Sequence, residues 1–301
     1  MNKTLFAGLL ITILMIAASF FGKYVYWHDL NEHLEVSYTN GVLVVPPSPP
    51  NGDYLFGTDK YGYDLLAKLL DGARFTILGA VGVAFARVLI GGMLGLILGY
   101  FGKVQTNRGG RFTIWNVLNG IPVFIIVWMI MIGFTMNPKS TAIWMTFILT
   151  LIMTILGIPS VAASIKEKAT LIREKQFVLS AKSIGASHWT IIRSHIFPHL
   201  KENFTILFVQ EVVLTLGLFG QLAIFNIFVG GTKMLFDPIE YMSRTNEWSG
   251  LIGQARSNLD IYPWVIFFPL SAYIVFILGF HLISVGLEKK YQKQFAKYSH
   301  I

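Results

Sequence analysis

Long apolar runs separated by short charged stretches organise this chain. Six of them are long enough to cross a bilayer, which takes about 20 mainly apolar residues. Residues 4–22 carry no charge, 75–102 carry only Arg87, and 112–138 and 140–165 carry none. Residues 203–232 carry only Glu211, and 261–287 carry no formal charge, although His281 lies inside them. Six such runs predict an all-α polytopic membrane protein with six transmembrane helices; a β-barrel would show short alternating segments instead. The first run has features of a cleaved signal, with Lys3 as the charged region and Ala17-Ala18-Ser19 as a cleavage site. Its apolar stretch exceeds the usual length of such signals, so residues 1–22 are read as a retained membrane helix.

The polar stretches differ in character. Residues 23–74 contain a cluster of four prolines, Pro46, Pro47, Pro49 and Pro50, then Asn51-Gly52-Asp53, all favouring extended or turn structure. Leu65, Leu66, Leu69 and Leu70 recur at helical spacing between Asp64 and Asp71, predicting a short helix in the membrane interface before the second span. A five-helix core is expected over residues 75–287, with an outer loop at 233–260 and a basic tail at 288–301. The loop at 166–202 is long for a protein of this kind. In it, Phe177, Val178, Ala181 and Ile184 fall near one face of a predicted helix over 173–184. Gly185 interrupts that helix, Ser187 can cap a second one over 188–197, and Pro198 is expected to end it. A helix–glycine–helix pair with an apolar stripe suits docking onto another protein better than it suits a solvated loop.

Composition sharpens this picture. Of 301 residues, 54% are hydrophobic and 13% charged, with a mean hydropathy of +0.59; an ordinary soluble domain carries about 25% charged residues. Zero cysteines leave no disulfide framework, thiolate metal site or catalytic thiol. The net charge of +8 would suggest a nucleic-acid partner in a soluble protein, but its placement argues for orientation. With the N-terminus in the cytoplasm, inside segments hold 15 Lys and Arg against four acids, and outside segments hold eight against 11. The bias predicts N-in and C-in and leaves no need for nucleic acid.

Candidate chemistry is sparse. No G-x-x-x-x-G-K-[ST] loop, H-E-x-x-H, G-x-S-x-G or clustered metal-ligand spacing occurs, so no catalytic or metal residues are assigned. If ATP drives this protein, the ATPase is a separate chain. His188, His195 and His199 lie in the docking loop and read as helix-surface residues. Arg87 and Glu211 are the only formal charges inside the spans; each should face the bundle interior or water. They can pair with each other, line a translocation path, or lie nearer an interface. Gly91, Gly95 and Gly99 form a small-residue face in the second span, suited to packing within the chain or against a partner subunit. Asn119, Gly120 and Pro122 can loosen the third span. A self-contained ion-driven carrier using Glu211 and His281 is the competing class; it calls for an inverted half-length repeat, and the sequence shows none.

Three blocks resemble the permease subunits of binding-protein-dependent ABC importers, in the dipeptide, oligopeptide and nickel branch. The first is Gly57-Thr58-Asp59 with Gly62-Tyr63-Asp64, then Gly72-Ala73-Arg74; it is similar to G-T-D-x-x-G-R-D and G-A-R, with Tyr63 where the family has Arg. The second places Gly185 at the central glycine of the cytoplasmic signature and His195-Ile196-Phe197-Pro198 at its downstream H-I-L-P. The signature's E-A-A reads Leu179-Ser180-Ala181, and Glu174 stands at the upstream acidic position. The third is Glu247-Trp248, Ala255-Arg256, Pro263-Trp264 and Gly286-Leu287. The resemblance implies a type I importer fold in a bacterial inner membrane, importing peptides or a metal complex. It implies three kinds of partner, namely a second permease, two ATPase subunits that bind ATP and magnesium, and an extracytoplasmic binding protein, and it implies no cofactor in this chain. Glu174, Phe177, Val178, Ala181, Gly185, Ala186 and Ser187 would then form the ATPase-coupling element.

Overall fold

A computed structural model describes residues 2–26, 30, 32–39, 42–102 and 121–298. Lys103, Arg108, Arg111, Asn119, Gly120 and the first part of the third predicted span lie outside these. The chain runs α1 (Lys3–Val25), β1 (Ser37–Thr39), β2 (Val42–Val44), α2 (Leu65–Phe101), α3 (Val123–Thr135), α4 (Ala142–Arg173) and α5 (Gln176–Ser183). It continues with α6 (His188–Ile224), β3 (Thr232–Phe236), β4 (Ile239–Ser243), α7 (Trp248–Ala255) and α8 (Trp264–Tyr298). Among the described residues, five helices are long and apolar enough to span a membrane: α1, α2, α4, α6 and α8; α3 is shorter and also apolar. The protein is thus the helical, multi-pass membrane protein that the apolar runs predict.

α2 is the hub. Its 37 residues would extend for about 55 Å, and it packs along both α4 and α6, while α1 lies against α8. Close approach is built from glycine. A Cβ at Gly91 would lie 2.9 Å from the Ile158 carbonyl, one at Gly95 2.5 Å from the Ala162 carbonyl, and one at Gly99 2.6 Å from the Ala169 Cβ. The small-residue face of α2 is therefore occupied by α4 of the same chain.

Three predicted boundaries are corrected. The interfacial helix over 64–71 is not a separate element, because α2 starts at Leu65 and runs on through Gly72. Gly72 does not break the helix; it admits the Asn246 carbonyl, which a Cβ there would meet at 1.7 Å. Leu65 and Leu69 are buried in the protein and not laid on lipid. Likewise Pro198 ends nothing. Residues 191–196 form a π-helical segment in which the Phe197 N–H reaches the Ile192 carbonyl, and Pro198 sits in the first turn of the α-helix that follows. At that position a missing N–H breaks no helical bond. α6 thus rises unbroken from the cytoplasmic loop into the membrane. It stops at Ile224, before the predicted residue 232, where Asn226 takes φ +60° and starts a turn.

The two ends of the bundle are distinct. At the inner end, Arg173 donates to the carbonyls of Tyr100 (2.8 Å) and Gly102 (2.7 Å), and Tyr100 Oη lies 2.7 Å from His188 Nδ1. At the outer end, the segments expected to be loops form a structured cap. β3 and β4 pair antiparallel, Thr232 opposite Ser243. Asn137, between α3 and α4, holds the edge of β3 by bonds to the Met234 N–H (2.8 Å) and carbonyl (3.0 Å). Lys60 and Tyr61 both reach Glu240 on β4. The proline segment is pinned to the Gly57–Asp64 turn: Ser48 N–H donates to Thr58 Oγ1 (2.7 Å) and Thr58 N–H to the Ser48 carbonyl (2.9 Å).

Candidate functional site

The element between α4 and α6 is built by local capping. α5 ends at Ser183 and is capped by Ile184, and Gly185 follows at φ +82°, the left-handed region that favours glycine. Its N–H bonds the Lys182 carbonyl (3.1 Å), and the Ala186 N–H bonds the Ala181 carbonyl (3.1 Å), so two of the carbonyls left open at the helix end are satisfied. Ser187 then caps α6 by accepting the Thr190 N–H at 3.2 Å. Glu174 closes α4 and is exposed.

The predicted apolar stripe is divided by the structure. Val178 (2% exposed) and Ala181 (6%) face inward and pack with Ile191, Ile192, Ile196 and Tyr100. They hold the element to the bundle and are not available to a partner. Ile184 (86% exposed) and Trp189 (68%) stand outward, and Leu179 and Phe177 are exposed as well. Phe177 also packs against the His199 ring, centroids 5.0 Å apart. Leu179 takes the position at which the family signature carries Glu, so the exposed surface here is apolar where an acid was expected. Trp189 was missed by the sequence reasoning; its signal was the single tryptophan of the 166–202 loop, two residues after the Ser187 cap. A cleft of about 420 Å³ lies beside the element, lined among others by Phe101, Glu174, Leu179 and Lys182.

The intramembrane charges meet. Arg87 Nη1 donates to Glu211 Oε2 at 3.0 Å, and both side chains are buried. His281 is exposed on α8 and is not brought to Glu211. Among the described residues no group of three or more His, Asp or Glu side chains is placed to hold a metal.

The outer cap gathers the other motif residues. Asp59 accepts the Tyr61 N–H (2.9 Å) and Tyr63 N–H (3.0 Å) and pairs with buried Lys68. Lys68 Nζ lies 4.5 Å from the centroid of the Tyr63 ring, so the Tyr63 departure still places a cation at this turn. Trp248 donates its ring N–H to the Leu69 carbonyl (2.8 Å) and its backbone N–H to Thr76 (3.0 Å). Glu247 is wholly buried, and burial pushes its carboxyl up to about 7, against bonds from Ser249 Oγ and the Val229 N–H that favour the charged form. Glu240 is held below the usual carboxylate range, first by its bond from Lys60 and then by that from Tyr61.

Comparison with known proteins places the chain in a family. The family described as binding-protein-dependent transport system inner membrane component matches residues 91–293, about two thirds of the chain. The oligopeptide transport system permease protein OppC of Bacillus subtilis is 26% identical over 95% of this chain and 84% of its own length. The glutathione transport system permease protein GsiD of Pectobacterium atrosepticum is 24% identical over 94% and 84%. The peptide transport system permease protein SapC of Haemophilus influenzae is 28% identical over 78% and 72%. The chain therefore belongs to the family of inner membrane components of binding-protein-dependent transport systems.

Proposed function

We propose that this permease subunit forms half of the translocation path of a peptide importer, and that the 173–198 element seats in a groove of an ATPase subunit. The chain is a non-catalytic subunit of an ABC importer, and ATP hydrolysis is the work of separate ATPase chains. One observation carries the docking reading. Ile184 and Trp189 are large apolar side chains exposed on a cytoplasmic element whose geometry is held by a left-handed glycine and a serine cap. Peptides are favoured over a metal complex as solute because the relatives are named for oligopeptide, peptide and glutathione transport. The complete assembly on this reading has a second permease, two ATPase subunits with their ATP and magnesium, and an extracytoplasmic binding protein. Closure of the ATPases displaces the docked element, and the spans pass between inward-open and outward-open states.

Isolation of the tagged chain in mild detergent tests this. The expected result is co-purification of a second permease and two ATPase chains. A solitary chain that transports solute would overturn the reading. Deleting the gene and measuring cellular uptake of trialanine and of nickel chloride separates the solute classes; loss of trialanine uptake alone supports peptides.

A further inference from the structure

Three helices meet at one buried set of groups in which each part requires the others. Arg87 on α2 donates Nη1 to Glu211 on α6, and donates Nε (3.1 Å) and Nη2 (2.6 Å) to the Met153 carbonyl on α4. Arg87 is 3% exposed and Glu211 4%. Gly157, one turn beyond Met153, leaves the space in which the guanidinium lies: a Cβ there would sit 2.1 Å from Arg87 Nε and 2.3 Å from Cζ. An Arg on α2 is therefore matched to a carboxylate on one neighbour and to a carbonyl and an absent side chain on the other.

Stability alone is a poor reason for this set. Desolvating two charges offsets most of their attraction, and packed apolar residues often serve as well. A planar guanidinium with fixed donors supplies something apolar packing does not, which is one relative register of its partners. The helices it fixes are the two that carry the coupling element. α4 leads into α5 and α6 leads out of it, and these two helices touch each other only sparsely, each packing mainly on α2.

We infer that Arg87, Glu211 and Gly157 are positioning residues for import. They hold α2, α4 and α6 in one register, so that displacement of the coupling element is carried across the membrane by three helices moving together. This rests on the docking reading above.

The chain has no cysteine, so a cysteine pair introduced into it is the sole labelling site once the partner chains are made cysteine-free. Exposed Glu167 on α4 and Thr205 on α6 are changed to cysteine and labelled in the complete complex, reconstituted in liposomes with its binding protein. With Arg87 and Glu211 native, one narrow distance is expected, equal in the nucleotide-free and ATP-bound states. In the double variant Arg87→Met/Glu211→Met, which leaves no unpaired buried charge, the complex is expected to assemble. Its distance should broaden, and stimulation of ATP hydrolysis by the binding protein should fall about tenfold. An unchanged distance with normal stimulation would overturn the inference. Should the double variant not assemble, Gly157→Ala, which keeps both charges and displaces the guanidinium, is read by the same two outcomes. Failure of both to assemble would also overturn it, leaving the set a purely structural one. Failure of the docking reading shows separately, as normal ATPase stimulation in a Gly185→Val complex with the register intact.

Discussion

Gly185 illustrates how a single backbone angle can carry a function. No atom lies within 4 Å of where its Cβ would be, so space does not demand glycine; the φ of +82° does. A left-handed β-branched residue costs about 1–2 kcal/mol or more, enough to redirect the short turn between α5 and α6. Gly185→Val is expected to reach the membrane at normal levels and to lose coupling of ATP hydrolysis to transport. Gly185→Asn, which tolerates this angle, should retain most of it. ATPase assays on both complexes make the comparison. Glu247 offers a second prediction at this scale. Its folded pKa, about 7, stands above that of an exposed glutamate, so the folded state binds the extra proton between the two values. The stability from keeping it neutral is present at low pH and is lost as pH rises towards 7, with no further loss above. Thermal melts of the purified protein should fall from pH 5 to pH 8, and Glu247→Gln should remove that slope. Gly185 and Ser187 were legible in the sequence because caps are written in local residue types. Burial of Glu247 was not, since it follows from contacts with residues such as Val229 that are remote in the chain.

Elements were legible in proportion to how far a local rule decides them. The apolar runs announced the spans, because lipid requires about 20 apolar residues whatever the tertiary structure. Their ends were harder. The interfacial helix merged with α2 because Gly72, which looks like a breaker, is there for the Asn246 carbonyl. Pro198 lies inside a helix because a π-helical segment precedes it. The faces of α5 were assigned by period alone, which groups Val178, Ala181 and Ile184. The turn at Gly185 instead leaves Ile184 outside while α6 covers the other two. That division predicts where a partner binds. Ile184→Asp with Trp189→Ala should reduce ATPase recovered with the chain by at least about tenfold, the scale of interface anchors, without loss from the membrane. A similar argument applies to α2 and α4. Gly95→Val places side-chain atoms against the Ala162 carbonyl, and overpacking of this kind costs about 1–3 kcal/mol. The variant should lose its single symmetric peak in size-exclusion chromatography after detergent extraction, whereas Gly82→Val, at an open position of the same helix, should keep it.

Across the whole molecule, the charge bias and the contacts divide the chain between the same two ends. The basic excess assigns the 166–202 loop to the cytoplasm. The bonds of Arg173 and His188 to the end of α2 gather that loop at one end of the bundle, while Glu240, Asn137 and the Gly57–Asp64 turn gather at the other. A deficit of charge in the spans leaves Arg87 and Glu211 as exceptions, and these two are spent on each other and on a carbonyl of α4. The hairpin and α7 that complete the outer cap were read only as loop, because short strands tied by Asn137 and Lys60 carry little periodic signal of their own. The central claim is that an ATPase sits on the outward side of the α5–α6 element, and the absence of cysteine allows it to be tested by position. A single cysteine at Ile184 and, separately, one at Ile143, which is 73% exposed at the outer start of α4, are treated with a short bifunctional cross-linker in membranes holding the complete complex. The account predicts a product with the ATPase chain from position 184 and none from position 143. No ATPase product from position 184, or an equal yield from both, would contradict it.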